Sequence, residues 1–194
     1  MAAFVLGNGV SRRPIEINLL KSLGDVYACN AVYRTHAVTA LVATDRPIAT
    51  EIQASGYAQN NRFYTRRPEP KSGAQRVPQE YFGWSSGPIA AALACLDHHD
   101  RIYLLGFDLG PNEQGRFNNL FADSEHYKAL GSAPTFTGNW IKQLRRVSED
   151  FPGALFMRVF GATTAGIPEF DRLPNWQRLD MTEFVRRINN PKDL

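Results

Sequence analysis

The sequence predicts an α/β protein, a single domain over residues 1–194 in which a mainly parallel sheet is flanked by helices. Two observations predict it. Short apolar runs recur along the chain, each closed by a polar residue or a glycine turn: Ala2 to Leu6 ends at Gly7-Asn8-Gly9, and later runs end at Asn30, Asp45 and Asp108. Between the runs lie helix signals punctuated by proline near the first turn and glycine after the last, as at Pro14, Gly24, Pro47 and Gly56.

Taken in order, Ala2 to Leu6 reads as a buried strand, and Gly7 to Pro14 as a tight turn leading into a helix over 15–23. Gly7 and Gly9 can take positive φ and let the backbone approach a ligand. The free amides of that turn, with Ser11 Oγ, Arg12 and Arg13, suit a phosphate. On that reading, Gly9→Asp abolishes ligand binding and spares the fold. Asp25 to Asn30 and Thr39 to Asp45 repeat the strand pattern, and 47–55 forms a helix. Residues 62–79 carry Arg62, Arg66, Arg67, Lys71 and Arg76 among prolines with no period, so they read as a mobile basic loop. Ser85-Ser86-Gly87-Pro88 opens a small-residue helix to Leu96, a second potential anion site. His98 and His99 read as its solvent-facing end. Arg101 to Asp108 is the next strand. Residues 109–134 are long and polar, where substrate contacts are expected. A helix over 139–151 puts Trp140, Ile141, Leu144 and Val147 on its core side, 154–159 is the last strand, and 180–188 a closing helix. The two lid or loop candidates are 57–84 and 109–137. In such Rossmann-like sheets ligands bind beyond the carboxyl ends of the strands, so Asn30 and Asp45 share a rim with Gly7 to Arg13.

Composition narrows the function. At 43% hydrophobic and 21% charged, the chain reads as an ordinary soluble globular protein. Net charge is only +3, yet seventeen of the 22 basic residues are arginine, which favours an anionic small ligand. The basic residues do not interleave with aromatics, so no nucleic-acid partner is expected. Cys29 and Cys95 lack metal-ligand spacing and are expected to be buried free thiols. No apolar run approaches the roughly 20 residues of a membrane span, and no leader is recognisable, so a cytoplasmic location is expected.

The order of motifs resembles that of a known group. Leu6-Gly7-Asn8-Gly9-Val10-Ser11, Cys29-Asn30, Ser85-Ser86-Gly87 and Tyr103-Leu104-Leu105-Gly106-Phe107-Asp108 are similar to the motifs of the bacterial sialyltransferases of the Campylobacter type. They also resemble those of the superfamily that includes archaeal 6-hydroxymethyl-dihydropterin pyrophosphokinase and the motility-associated glycosyltransferases. The likeness spans roughly residues 3 to 160. It implies a cytidine monophosphate donor surrounded by Asn8, Gly9, Ser11, Asn30, Ser86 and Gly87, with Asp108 beside them. The implied reaction is metal-independent and inverting, with a histidine base and two tyrosines on the departing phosphate. Here Val10 replaces the turn proline, Gly110 and Arg116 or Phe117 stand near the tyrosine positions, and Ala129-Leu130-Gly131-Ser132 replaces the His-Ser segment. His126 is the nearest histidine, and Arg116 is a cation able to stabilise a phosphate.

Three functions follow. The first is a nucleotide-sugar-dependent glycosyltransferase with a CMP-linked donor, a glycan or small-molecule acceptor, His126 as base and Arg116 on the phosphate. The second is an ATP- and Mg²⁺-dependent diphosphotransferase, with Asp45 and Asp108 as candidate metal carboxylates. The third is a nucleotide- or sugar-phosphate-binding protein without catalysis. Homo-oligomerisation is left open.

Overall fold

The computed structural model describes residues 2–194. The expected α/β architecture is present as one eight-stranded, all-parallel sheet. Its strands are β1 (Ala2–Leu6), β2 (Asp25–Cys29), β3 (Ala40–Val42), β4 (Phe63–Thr65), β5 (Gln75–Arg76), β6 (Arg101–Leu105), β7 (Leu155–Phe160) and β8 (Trp176–Asp180). Their spatial order is β5-β4-β3-β2-β1-β6-β7-β8. The chain therefore builds outward from β1 in one direction, then returns to β1's other edge and builds outward in the other. Phe4 lies abreast of both Val26 on β2 and Tyr103 on β6. This reversal between β1 and β6 is the topological switch point where open α/β sheets bind ligands.

Seven α-helices cover the two faces: α1 (Ile17–Leu23), α2 (Arg46–Ala54), α3 (Tyr57–Asn60), α4 (Ser86–Leu96), α5 (Gly138–Asp150), α6 (Pro168–Asp171) and α7 (Met181–Asn189). Because side chains alternate along a strand, β1 divides its residues between two cores. Ala3 and Val5 pack with α4 and α5 through Ala91, Leu93, Leu144 and Val147. Phe4 and Leu6 pack with α1, α2 and α7 through Leu20, Ile52 and Phe184. A sheet covered on both faces explains why the central strands are apolar throughout once past the charged first residues Asp25 and Arg101. Helix α4 buries every residue from Pro88 to Cys95, and its four alanines allow it to lie close against the sheet.

Several elements differ from expectation. The stretch 62–79 is not an aperiodic loop, since it supplies β4 and the two-residue edge strand β5. Those strands are too short to show a period of two, and both β5 residues are exposed. Strand 154–159 is not the last, because β8 follows it at the other edge. Only Trp176 and Leu179 of β8 are buried, so the strand carries almost no apolar signal. His99 does not face solvent: it is buried, with Nε2 3.0 Å from the Asp25 carboxylate.

Candidate functional site

A cavity of about 420 Å³ lies beyond the carboxyl ends of β1, β2, β3, β4 and β6, over the switch point. Ten of the expected site residues line it: Gly7, Asn8, Gly9, Asn30, Asp45, Ser85, Ser86, Gly87, Asp108 and His126. Ser11, Arg12 and Arg116 do not.

The first turn is organised around Asp108. This carboxylate is 3% exposed and sits just beyond β6. Ser11 donates to it twice, through its hydroxyl and through its backbone N–H at 3.1 Å. Asn118 Nδ2 donates at 3.1 Å, Thr163 Oγ1 at 2.6 Å and Thr164 Oγ1 at 3.3 Å. Five donors saturate the roughly four lone-pair directions of a carboxylate. The Val10 N–H is likewise taken, by Asn118 Oδ1 at 2.9 Å. The anion cradle expected in this turn is thus filled by the chain's own side chains.

Arg12 follows the same logic. Instead of reaching for a ligand it turns inward, donating from Nε to Gly7 O at 2.5 Å and from an Nη to Asn8 Oδ1 at 3.4 Å. Burial holds its guanidinium pKa below the usual arginine range, with the charge of Asp108 opposing that shift. On β7, Arg158 is equally buried and donates to Phe107 O at 2.9 Å and Asp108 O at 3.0 Å. Burial lowers its pKa to about 10.

The two glycines serve packing rather than positive φ. Gly9 has φ −63° and ψ 147°, an ordinary extended conformation. A Cβ there would lie 2.4 Å from Asp108 Cγ and 2.7 Å from Gly106 O. A Cβ on Gly7 would lie 2.5 Å from Gly106 O. Gly106 itself has φ +67° and needs glycine for its conformation. Because a carboxylate held by five donors cannot yield, Gly9→Ala should destabilise the protein by about 1–3 kcal/mol, measured by urea denaturation. Gly9→Asp is accordingly a folding variant, contrary to the expectation that it would leave the fold intact.

The opposite wall is built from β2, β3 and the start of α4. Asn30 takes the left-handed conformation, φ 56°, which asparagine tolerates. Its Oδ1 accepts from Ser86 Oγ at 3.2 Å, and Ser86 Oγ in turn accepts from the Thr44 N–H at 3.0 Å. These bonds clamp the N-terminus of α4 against the ends of β2 and β3. Gln143 on α5 accepts the Ser85 N–H at 2.9 Å. Cys29 also lines the cavity, but burial pushes its thiol up to about 12, so it is an unreactive part of the wall. Cys29 and Cys95 are both buried free thiols, as expected.

The long segment after Asp108 closes the cavity from above the sheet. Leu120 N–H donates to Asn8 O at 2.8 Å, and Ala31 N–H to the Tyr127 hydroxyl at 3.2 Å. Between these anchors His126 adopts φ +68° and places Nε2 2.8 Å from Glu51 Oε2. Glu51 also accepts Arg34 Nε and an Arg34 Nη, both at 2.9 Å, and the Tyr33 hydroxyl. The Arg34 hydrogen bonds hold the Glu51 carboxyl below the usual range, so it stays ionised beside the imidazole. Glu51, Glu125 and His126 are the one grouping of potential cation ligands among the described residues. Arg34 already occupies the central carboxylate. Arg116 stands apart, exposed in a turn where its N–H donates to Asn112 Oδ1 at 2.9 Å.

Comparison with family models, with curated proteins and with solved structures returns no match. The site is therefore read from its own geometry. Among the described residues, no helix is long and apolar enough to cross a membrane.

Sequence reasoning missed several members of the wall or its supports, Thr44, Arg66, Trp140 and Gln143 among them. Thr44 sits one residue before the expected Asp45, and Arg66 was one of five cations in a stretch without period. Trp140, expected in the core, is half-buried and lines the cavity. Gln143 is a polar helix residue whose only signal is its contact with Ser85.

Proposed function

We propose that the chain is a metal-independent, inverting glycosyltransferase that takes a nucleotide-activated sugar, of the CMP-linked kind, in this cavity. One observation carries the reading. A cavity at the switch point, lined by polar and apolar groups together, has in its wall a histidine whose Nε2 is engaged by an ionised carboxylate. That pairing leaves Nδ1 to exchange a proton and stabilises the imidazolium once formed. His126 Nδ1 takes the proton of the acceptor hydroxyl as the oxygen attacks the anomeric carbon. The bond from that carbon to the phosphate oxygen breaks, and its electron pair leaves with the nucleotide. The acceptor is a glycan or a small hydroxylated molecule.

The saturation of Asp108 favours this reading over the diphosphotransferase, which needs carboxylates at strand ends for Mg²⁺. Of the two candidates, only Asp45 is exposed. A thermal-shift series with CMP, CDP, UDP, GDP and ATP, each with and without Mg²⁺, tests the proposal. CMP at about 100 times its Kd should raise Tm by about 5–10 °C without Mg²⁺. Protection by ATP that requires Mg²⁺ would support the diphosphotransferase. Protection by CMP without release of CMP from any CMP-sugar would support a binding protein.

A further inference from the structure

We infer that Arg66 is the phosphate anchor of the cavity, holding the nucleotide's phosphate against the first turn of α4. The inference rests on the nucleotide-binding reading above and names the residue that makes it depend on phosphate rather than on the nucleoside.

The position follows from the sheet. Val42 pairs with Tyr64, and the Ala43 N–H continues the ladder to Tyr64 O at 3.0 Å. Carried two residues further, that register sets Arg66 abreast of Thr44, which is bonded to Ser86. One Arg66 Nη donates to Trp84 O at 2.8 Å, directly before the Ser85-Ser86-Gly87 turn. The guanidinium is therefore fixed at the entrance to α4 and lines the cavity.

Its guanidinium is only partly satisfied within the chain. Arg66 Nε is buried and has no hydrogen-bond partner among the described residues. A buried donor left unpaired is costly, so native structures seldom keep one without a reason. Nor does Arg66 form an ion pair there, whereas Arg34 and Arg62 are matched by Glu51 and Asp97. Within the cavity, the Asp108 carboxylate is already saturated by its five donors.

The nearby donors favour a tetrahedral oxyanion. Helix α4 has eleven residues, and Ser85 at its N-cap makes no side-chain capping bond. Pro88 has no N–H, so the first-turn amides are those of Ser86 and Gly87, at the positive end of the helix dipole. A phosphate can accept from these amides on one side and from the Arg66 guanidinium on the other. During transfer that phosphate receives the electron pair of the breaking bond, and the guanidinium stabilises the added charge. Arg66 thus takes the role expected of Arg116.

The test compares CMP, cytidine and inorganic phosphate on wild type and on Arg66→Ala, Arg66→Gln and Arg66→Lys, by calorimetry and thermal shift. Wild type should bind CMP well above cytidine. In Arg66→Ala and Arg66→Gln, CMP affinity should fall about 10- to 100-fold, with cytidine affinity unchanged. Arg66→Lys should recover part of the loss, because it keeps the charge but not the planar fork. Unchanged CMP affinity in the folded Gln or Lys variant overturns the inference, as does an equal loss for cytidine. If wild type binds none of the nucleotides, the proposed function fails by itself. The phosphate arm then decides Arg66 independently: protection by inorganic phosphate that is lost in Arg66→Gln supports the anchor, and any other result rejects it.

Discussion

Replacing Asp108 by alanine lowers the unfolding free energy by about 3–5 kcal/mol and Tm by about 10 °C. Two costs combine. Ser11, Asn118, Thr163 and Thr164 lose their shared acceptor, so a buried donor and three half-buried ones are left unpaired. Arg12 and Arg158, both buried, lose the negative charge that favours their protonated forms. Asp108→Asn should recover less than half of the loss. Its carbonyl oxygen can still accept, but its NH₂ must face groups that are themselves donors. Urea denaturation checks this through a lower midpoint at unchanged slope. A loss under about 1 kcal/mol would mean that water replaces the carboxylate at no great cost, and that the turn is not organised by Asp108.

His126→Asn should reduce turnover of a CMP-sugar by about 10²- to 10⁴-fold while CMP protection stays within error. Asparagine is the informative replacement, since it accepts the positive φ that His126 adopts and alanine accepts less readily. The side chain is a quarter exposed, and its one close partner is Glu51, which keeps Arg34 and Tyr33 in the variant. Stability should therefore change little. Measuring CMP release beside CMP binding separates a lost base from a lost donor site. Transfer at the wild-type rate would remove His126 from the reaction.

Much of the architecture was legible because it follows from local rules. A strand buried on both faces must be apolar at each position, and a chain leaving such a strand must turn. The runs 2–6, 26–29 and 102–105 therefore announce themselves. Edge strands carry no such mark: β5 is two exposed residues, and β8 buries only Trp176 and Leu179, leaving Gln177, Arg178 and Asp180 exposed. The rim was legible for the same reason as the central strands. In a parallel sheet every carboxyl end lies on one side, so Asn8, Asn30, Asp45, Ser86 and Asp108 had to converge.

Which of those groups face a ligand was decided only by tertiary structure. Ser11 and Asp108 lie 97 residues apart, and no local pattern says that one will fill the other's place. A carboxylate and a turn rich in N–H groups suggest, when read apart, a metal ligand and a phosphate cradle. Brought together, they satisfy each other. Arg12 and Arg66 exchange roles for the same reason. The first lies under the turn, where Gly7 O and Asn8 Oδ1 accept from it, whereas the second follows a strand beside a helix start and keeps a donor without an acceptor. The sequence by itself determined the central strands of the sheet, its polar rim and the basic character of the residues near it. The long-range pairing of donors with acceptors decided which of those residues are structural and which remain for a ligand, because a hydrogen-bonding group already satisfied within the fold has little left to offer outside it.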